Sequence, residues 1–339
     1  MNFSKVTSYI RIPTCLLLLI SSISWGQTLK IATLAPEGSA WTDALRTIDS
    51  RIRAATNGTV QFKIYAGGIQ GDEPVVLRKI RIGQLHGGGF AGPSMSQILP
   101  DVLALQMPFL FNEYREIDYV LKETEAHFQR RYGERGYVHL GWTDVGFVHL
   151  FSHQPIQDLE ALKAHTVWRL EGEPITEILF RLGDIRSIPL TIPDVLMGLQ
   201  TNLVDVVYAS PAAAIVLQWH TRVSHINELP INYSPGTLLV AQQAFNKLKP
   251  DHQILLRAIA REEMQTLTIQ MRKDNRSALE VLQKNGLQLH TSSQEDLASF
   301  NPLIEGTERE LVGGVLPLDI HQLIRSLLSD FRSVPQPSQ

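Results

Sequence analysis

The amino-acid sequence predicts an α/β protein made of two α/β units, each with a mainly parallel sheet. Segments typical of strands alternate with segments typical of helices in two stretches of the chain, and 339 residues exceed one compact core. Glycine and proline are absent between Asp251 and Asn285, which predicts a long helix besides the two units. Because ligands of open α/β sheets bind beyond the carboxyl ends of the strands, we expect a ligand cleft shared by both units.

The first unit begins with residues 29–35, which have the apolar character of a buried strand. Ser39 can cap a following helix, whose apolar residues recur at intervals of four, three and four. Asn57–Gly58 is predicted to end this helix. The elements predicted after it are a strand over 59–65, a turn over 67–71, a helix that is capped by Asp72 and ends at Gly83, and a strand over 85–91.

The second unit repeats the alternation of strands and helices. Its predicted elements are a strand over 166–170, a helix over 173–182, a strand over 187–190, a helix over 193–202 and a strand over 204–209.

The segment 251–285 carries apolar residues at helical spacing throughout. As one helix it would extend roughly 50 Å at about 1.5 Å per residue, which is enough to reach both units. The same pattern also fits two ordinary helices joined by a loop near Asp274–Asn275.

Residues 1–26 have the pattern of a secretory signal peptide: Lys5 and Arg11 are followed by a short apolar run and by small residues up to Gly26. An uncleaved anchor is the alternative. The single cysteine, Cys15, lies in this run, so the exported chain is expected to have no disulfide and no thiolate metal site. Residues 333–339 contain proline and serine and are expected to be disordered.

Composition argues against several functions. Without the signal peptide, 29 basic residues stand against 34 acidic ones, so nothing indicates a basic face for nucleic acid. The segment His86-Gly87-Gly88-Gly89 looks like the oxyanion loop of esterases, but the Gly-x-Ser-x-Gly elbow is absent. The 11 histidines form no close ligand set, and no phosphate-binding glycine loop is present. These absences favour a binding protein without a metal or cofactor over an enzyme.

Several segments resemble one family in consistent order. They are Leu29-Lys-Ile-Ala-Thr-Leu-Ala-Pro-Glu-Gly-Ser39, Thr56-Asn-Gly-Thr-Val60, Tyr65-Ala-Gly-Gly-Ile-Gln-Gly-Asp-Glu73, Ile82-Gly-Gln-Leu85, Pro155-Ile156 with Asp158-Leu159, and Pro189-Leu190 with Asp194-Val-Leu-Met-Gly-Leu-Gln-Thr-Asn-Leu-Val-Asp205. Each is weak alone. Together, from Leu29 to about Phe331, the chain resembles the DctP-type solute-binding subunits of tripartite ATP-independent periplasmic (TRAP) transporters.

The resemblance implies a periplasmic-binding-protein-like fold, in which two α/β lobes close on a ligand and a long helix spans both. The expected division is a first lobe of residues 27–148 plus about 232–262, a second lobe of 149–231, and helices over about 263–332 that pack on both. It also implies a monomer in the periplasm that delivers a small organic solute to a small and a large membrane permease subunit.

The resemblance further implies a carboxylate-binding arginine on a strand of the second lobe. Here that strand reads Thr166-Val167-Trp168-Arg169, and alignment on Gly172-Glu-Pro174 puts Trp168 at the arginine position, with Arg169 on the opposite face. A shift of one residue would bring Arg169 into the pocket. A second arginine of the family is also absent after Gly146-Phe147. The solute is therefore expected to be an organic acid or a more apolar compound, and not a dicarboxylate of the usual kind.

Other candidate contacts follow from the position of each residue after a strand, and packing in a core is the alternative for each aromatic ring. Tyr208 and Ser210 follow Asp205 in the second lobe, while Phe90 and Ser94 follow the third strand of the first. Glu73 either accepts a hydrogen bond from a solute hydroxyl or amine, or only begins a helix, where acidic residues are favourable. The remaining candidates are Trp41, Trp142 and Trp219.

Two other functions stay open at this point. One is a ligand sensor that presents its closed form to a signalling receptor. The other is a periplasmic enzyme that uses Glu73 and Asp205 as an acid/base pair.

Overall fold

The computed structural model describes residues 26–333, so the predicted signal peptide, apart from Gly26, and the tail beyond Ser333 lie outside the described residues. The strands of the described chain are β1 (Gln27–Ala32), β2 (Val60–Tyr65), β3 (Gly87–Ala91), β4 (Tyr137–Ser152), β5 (Val167–Leu170), β6 (Ser187–Leu190), β7 (Val206–Ala209), β8 (His225–Asn227), β9 (Asn232–Ala241) and β10 (Gln288–His290).

The helices of the same region alternate with these strands. They are α1 (Ala40–Ala55), α2 (Glu73–Arg81), α3 (Gly92–Ile98), α4 (Tyr114–Glu134), α5 (Leu159–Lys163), α6 (Pro174–Leu182), α7 (Val195–Gln200), α8 (Pro211–Val216), α9 (Gln242–Phe245), α10 (Pro250–Lys284), α11 (Gln294–Ala298), α12 (Asn301–Leu311) and α13 (Leu318–Ser333), with 3-10 turns at Pro100–Leu105, Ile192–Asp194 and Trp219–Arg222.

Local signals explain many of these boundaries. The Ser39 side chain accepts a hydrogen bond from Thr42 N at the start of α1, and Asp72 Oδ1 accepts one from Val75 N at the start of α2. Both predicted caps are confirmed. The predicted helix over 193–202 is shorter, because its first residues form the 3-10 turn and α7 begins at Val195.

The strands follow the order β2-β1-β3-β9-β4-β7-β5-β6, with β8 beside β4 and β10 beside β8. In the first lobe β1 pairs in parallel with β2 and β3, and in the second lobe β5 pairs in parallel with β6 and β7. The α/β class with two lobes is therefore confirmed. The antiparallel strands β4 and β9 lie between the two parallel groups.

Strand β4 connects the lobes. It pairs with β9 as far as Val148 and with β7 from His149 onward, and the register shifts between Asp144 and Gly146. The pairing therefore changes where the first predicted lobe boundary lies. The domain boundaries themselves stay predictions.

Helix α10 is one continuous helix of 35 residues, so the interpretation as two helices with a loop near Asp274–Asn275 was wrong. It packs against α1 and β4 in the first lobe and against α8 in the second. At about 1.5 Å per residue it extends roughly 52 Å. Farther along the chain, α12 packs against α6 and α13 against α4, so the C-terminal helices contact both lobes. None of the helices within residues 26–333 combines the length and hydropathy of a membrane span.

A buried polar network ties α10 to β4 where the strand passes between the lobes. Arg272 Nε contacts Asp144 Oδ2 at 2.5 Å, and the Tyr233 hydroxyl donates to Asp144 Oδ1 at 2.5 Å. One turn along α10, Asn275 Nδ2 donates to Val145 O, and Asn275 Oδ1 accepts from Ala212 N. A single side chain thus joins β4 to the first turn of α8.

Replacing Gly146 by alanine is expected to destabilise the fold by about 1–3 kcal/mol. Gly146 has a φ of 118°, and a Cβ there would collide with Asn275 Nδ2. Urea unfolding monitored by circular dichroism measures the loss. Gly133→Ala is the control, because a Cβ at this α4 position meets nothing within 4 Å. A Gly146→Ala protein as stable as wild type would contradict the expectation.

Candidate functional site

A cleft between the lobes contains two adjoining cavities, of about 500 Å³ and 380 Å³. Both are lined by Leu34 and Glu73 from the first lobe and by Ile192 from the second. The linings follow the carboxyl ends of β1, β3, β5, β6 and β7. This is the edge where ligands of open α/β sheets bind.

The larger cavity, here called the polar arm, lies between α2 and the loops that follow β5 and β6. Its remaining lining residues are Asp72, Pro74, Val75, Leu77, Arg78, Arg81, Ser94, Gln97, Leu170, Glu171, Gly172 and Thr191. Arg78 and Arg81 are exposed. Arg78 has no ion pair within residues 26–333, so its guanidinium is free to pair with a solute carboxylate.

The smaller cavity, here called the apolar arm, reaches α10. Besides the shared residues it is lined by Thr33, Ala35, Pro36, Gly38, Ser39, Ala40, Trp41, Gly89, Phe90, Ala91, Val145, Ser210, Ala212, Ala213, Val216, Leu217, Met271 and Asp274. Most of these side chains are apolar, and no lysine or arginine is among them. An apolar pocket of this size with a few polar groups is typical of small-molecule sites.

Glu73 lies where the two arms meet. It is the first residue of α2, and only 6% of the residue is exposed. Its Oε1 accepts a hydrogen bond from Ala91 N at 3.1 Å, whereas the buried Oε2 has no partner within residues 26–333. Burial raises the pKa of Glu73 from 4.5 to about 7, although the nearby Ser94 hydroxyl and the Ala91 N–H oppose the shift. A buried, unpartnered carboxyl oxygen in a cleft is a candidate ligand contact.

The three glycines of the His86–Gly89 segment make room for protein groups. A Cβ on Gly87 would collide with Leu239 O of the neighbouring β9, and one on Gly89 would lie 2.8 Å from Trp41 Cζ3. Gly236 on β9 is also required by the Trp41 ring, since its Cβ would lie 2.6 Å from Trp41 Cζ2. These glycines therefore seat the ring that forms one wall of the apolar arm.

Five of the predicted contacts line the cleft. Glu73 borders both arms, Ser94 borders the polar arm, and Trp41, Phe90 and Ser210 border the apolar arm. Phe90 and Ser210 are almost fully buried, at 1% exposure each, and Ser210 also caps α8 by accepting from Ala213 N.

The other predicted contacts lie elsewhere among the described residues. Trp168 is 3% exposed, donates from Nε1 to Leu190 O, and lies against Trp219 in the core of the second lobe. The Tyr208 ring stacks on Trp168 with centroids 4.6 Å apart, and its hydroxyl accepts from Leu170 N. Trp142 packs in the first lobe against Phe128.

Arg169 pairs with a residue of α6. Its Nη1 lies 3.3 Å from Glu177 Oε2. Neither Trp168 nor Arg169 is among the residues that line the two arms.

The predicted acid/base pair is not formed. Asp205 precedes β7, and its Oδ1 accepts from Thr166 N just before β5. Glu73 faces the opposite ends of these strands, across roughly 13 Å at about 3.3 Å per residue. The prediction that Glu73 and Asp205 form an acid/base pair was therefore wrong, because the length of the second-lobe strands separates the two residues. Residues 26–333 also contain no grouping of three or more His, Cys, Asp or Glu side chains that could hold a metal ion.

Several lining residues were not among the predicted contacts: Leu34, Arg78, Val145, Ile192, Ala213, Val216, Met271 and Asp274. A signal exists for some of them. Thr191 and Ile192 follow a predicted strand, and Arg78 lies on the face of α2 opposite the buried Val76, Leu77 and Ile80. Val145 and Met271 come from β4 and α10, and the sequence contains no such signal for them.

Known proteins resemble this chain over most of its length. A solute-binding protein of Chromohalobacter salexigens is 23% identical over 233 residues, which are 65% of this chain and 66% of that protein, slightly under two thirds of its length. A solute-binding protein of Roseobacter denitrificans is 22% identical over 339 residues, covering 97% of this chain and 99% of that protein.

Solved structures share the fold. A TRAP periplasmic solute-binding protein of Xanthobacter autotrophicus Py2, with bound β-D-galacturonate, superposes with a TM-score of 0.82 at 18% identity, over 89% of this chain and 99% of that one. A TRAP periplasmic solute-binding protein of Desulfovibrio salexigens, with bound orotic acid, has a TM-score of 0.82 at 17% identity and the same coverage. A third structure, a TRAP periplasmic solute-binding protein of Pseudomonas putida F1 with bound D-glucuronate, has a TM-score of 0.79 at 20% identity. The match covers 92% of this chain and 99% of that one.

The family model described as bacterial extracellular solute-binding protein, family 7, matches residues 31–309. This match extends over both lobes and includes the residues of both cleft arms. The chain therefore belongs to this family, the DctP solute-binding proteins.

Proposed function

We propose that this chain captures a small organic acid in the cleft between its lobes and delivers it to the small and large membrane subunits of a TRAP permease. The observation that carries the proposal is the composite cleft, in which Glu73 leaves a buried oxygen without a partner between residues of both lobes. A solute that fills both arms contacts both lobes, so its binding favours the closed arrangement. Related structures contain galacturonate, orotate and glucuronate, which supports an organic acid.

The proposed contacts are Glu73, Ser94, Phe90, Ser210 and Trp41, together with Arg78 for the carboxylate. We further propose that residues 1–26 export the chain to the periplasm, where it works as a monomer. A sensor would bind a solute in the same manner. Solute uptake by liposomes that contain the permease subunits, measured with and without this chain, separates delivery from sensing.

Native mass spectrometry of the purified mature protein, followed by identification of the released molecule, tests the capture of a solute. We expect one small acid per chain. Protein that carries no solute, and that takes none up from a mixture of organic acids, would contradict the proposal.

Replacing Val216 by tryptophan is expected to lower solute affinity at least ~10-fold, which is about 1.4 kcal/mol. Val216 is 46% exposed and lines the apolar arm, so a larger ring can occupy the cavity without disturbing a core. Isothermal titration measures the affinity of the identified solute. Val281→Trp is the matched control, because Val281 is 44% exposed on α10 and lines neither arm. Equal affinities of the two variants would count against the cleft as the binding site.

A further inference from the structure

The two arms of the cleft differ in the chemistry that they offer to a solute. The polar arm contains Arg78 and Arg81 together with the acidic Asp72 and Glu171, whereas the apolar arm has no basic residue and is lined mainly by apolar side chains. A carboxylate is stabilised by charge-assisted hydrogen bonds to guanidinium groups. The acidic group of a solute is therefore favoured in the polar arm, and its remaining atoms occupy the apolar arm.

Four polar side chains that line the apolar arm each make at least one hydrogen bond within the protein. Ser39 Oγ donates to Pro36 O at 2.8 Å, and Ser210 Oγ accepts from Ala213 N at 3.4 Å. Thr33 Oγ1 accepts from Ala35 N at 3.1 Å, and Asp274 Oδ1 accepts from Gln270 Nε2 at 2.6 Å. These bonds hold turns and helix ends of the protein. The rest of the arm is lined mainly by apolar side chains, so several hydroxyl groups of a solute would lie against carbon atoms there.

Among the lining groups, Glu73 Oε2 is the buried oxygen without a partner within the described part of the chain. It lies at the junction, next to both arms. The cleft therefore offers a free hydrogen-bonding group to one polar substituent at that point.

We infer that the solute is an amphipathic monocarboxylic acid, whose carboxylate pairs with Arg78 and whose mainly apolar body fills the apolar arm, with any polar substituent beside Glu73. This inference rests on the proposed function and specifies its substrate class. It separates the chain from the relatives whose structures contain galacturonate or glucuronate. Each sugar hydroxyl buried in the apolar arm without a partner would weaken binding about 10-fold or more.

Cyclohexanecarboxylate and D-glucuronate form a matched pair for the test, because both have a six-membered ring with one carboxylate and only the second carries hydroxyl groups. Titration calorimetry of solute-free wild-type protein is expected to give at least ~10-fold tighter binding of cyclohexanecarboxylate. Glucuronate that binds as tightly or more tightly would overturn the substrate class and leave the proposed function standing. If neither of these acids binds at millimolar concentration, the substrate class is overturned, while the proposed function is decided separately by native mass spectrometry of the purified protein.

Arg78→Gln tests the place of the carboxylate. The variant is expected to bind cyclohexanecarboxylate ~10-fold or more weakly and to bind the uncharged cyclohexanemethanol as wild type does. Arg186→Gln is the control, since Arg186 is also exposed but lines neither arm. An Arg78→Gln protein with unchanged affinity for cyclohexanecarboxylate, or with the same loss for the alcohol, would overturn the assignment of the carboxylate to Arg78.

Discussion

Replacing Arg272 by alanine is expected to lower the free energy of unfolding by about 3 kcal/mol, because it leaves a buried carboxylate without its cationic partner. Asp144 is 1% exposed, and Arg272 Nε contacts its Oδ2 at 2.5 Å. The same guanidinium contacts Asp118 at 2.6 Å and lies 4.4 Å from the centre of the Tyr114 ring. Among the described residues, the hydroxyl of Tyr233 is the hydrogen-bond partner that Asp144 retains in the variant.

The loss is also expected to depend on pH, in a direction that follows from the charges. Burial raises the pKa of Asp144, and the pairing with Arg272 opposes that rise. Without Arg272 the pKa in the folded state rises further, so the folded protein holds the proton more tightly than the unfolded chain does. The contribution of Asp144 to the stability of the variant is therefore present in acid and lost as the pH rises, so the deficit of the variant relative to wild type is larger at pH 8 than at pH 5.

Urea unfolding of wild type and variant at several pH values measures both effects. Arg276→Ala is the matched control, because Arg276 is exposed on the same helix, α10. A loss for Arg272→Ala no larger than that of the control would show that the network does not hold α10 to β4. A deficit that shrinks toward pH 8 would contradict the charge argument.

The elements that the sequence predicts well are those defined by neighbouring residues. Ser39 and Asp72 cap α1 and α2 through hydrogen bonds to residues three positions along the chain, so the local sequence is sufficient to predict where these helices begin. Helix α10 is also predicted by a local property, the absence of helix breakers. Its continuity through Asp274–Asn275 is not, because Asn275 is held by Val145 O and Ala212 N, which are remote in the sequence.

The candidate site is predicted only in part, for a physical reason that Trp168 and Arg169 illustrate. Strand periodicity places their side chains on opposite faces. It does not say which face meets the cleft, and both faces are in fact covered: Trp168 packs against Trp219, and Arg169 contacts Glu177 on α6. Residues directly after strands, such as Ser210, are placed in the cleft because strand ends share one edge of a sheet.

The interaction of Arg272 with Asp144 is a stabilising contact that the sequence does not predict either. The two residues are 128 positions apart, and each belongs to an element with many other charges or apolar neighbours. Their meeting depends on how α10 crosses β4, which is a property of the packed lobes. Neither the composition nor the spacing of charges indicates it.

Replacing Glu73 by glutamine is expected to remove a large pH dependence from the stability of the solute-free protein. Burial raises the pKa of Glu73 from 4.5 to about 7. Since the folded state binds this proton more tightly than the unfolded chain, the contribution is fully present below pH 4.5 and is lost as the pH rises through 7. At about 1.4 kcal/mol for each pH unit, the wild type loses about 3 kcal/mol across this range, and the variant does not.

The difference in unfolding free energy between Glu73→Gln and wild type is thus expected to grow by about 3 kcal/mol in favour of the variant from pH 4.5 to 8. Urea unfolding at four pH values measures it, with Glu171→Gln as the control, an exposed carboxyl on the wall of the polar arm. Parallel curves for Glu73→Gln and wild type would show that folding does not raise the pKa of Glu73. A gain in stability accompanied by weaker solute binding would show why the cleft retains the acid: its destabilised, unpartnered oxygen is available to the solute.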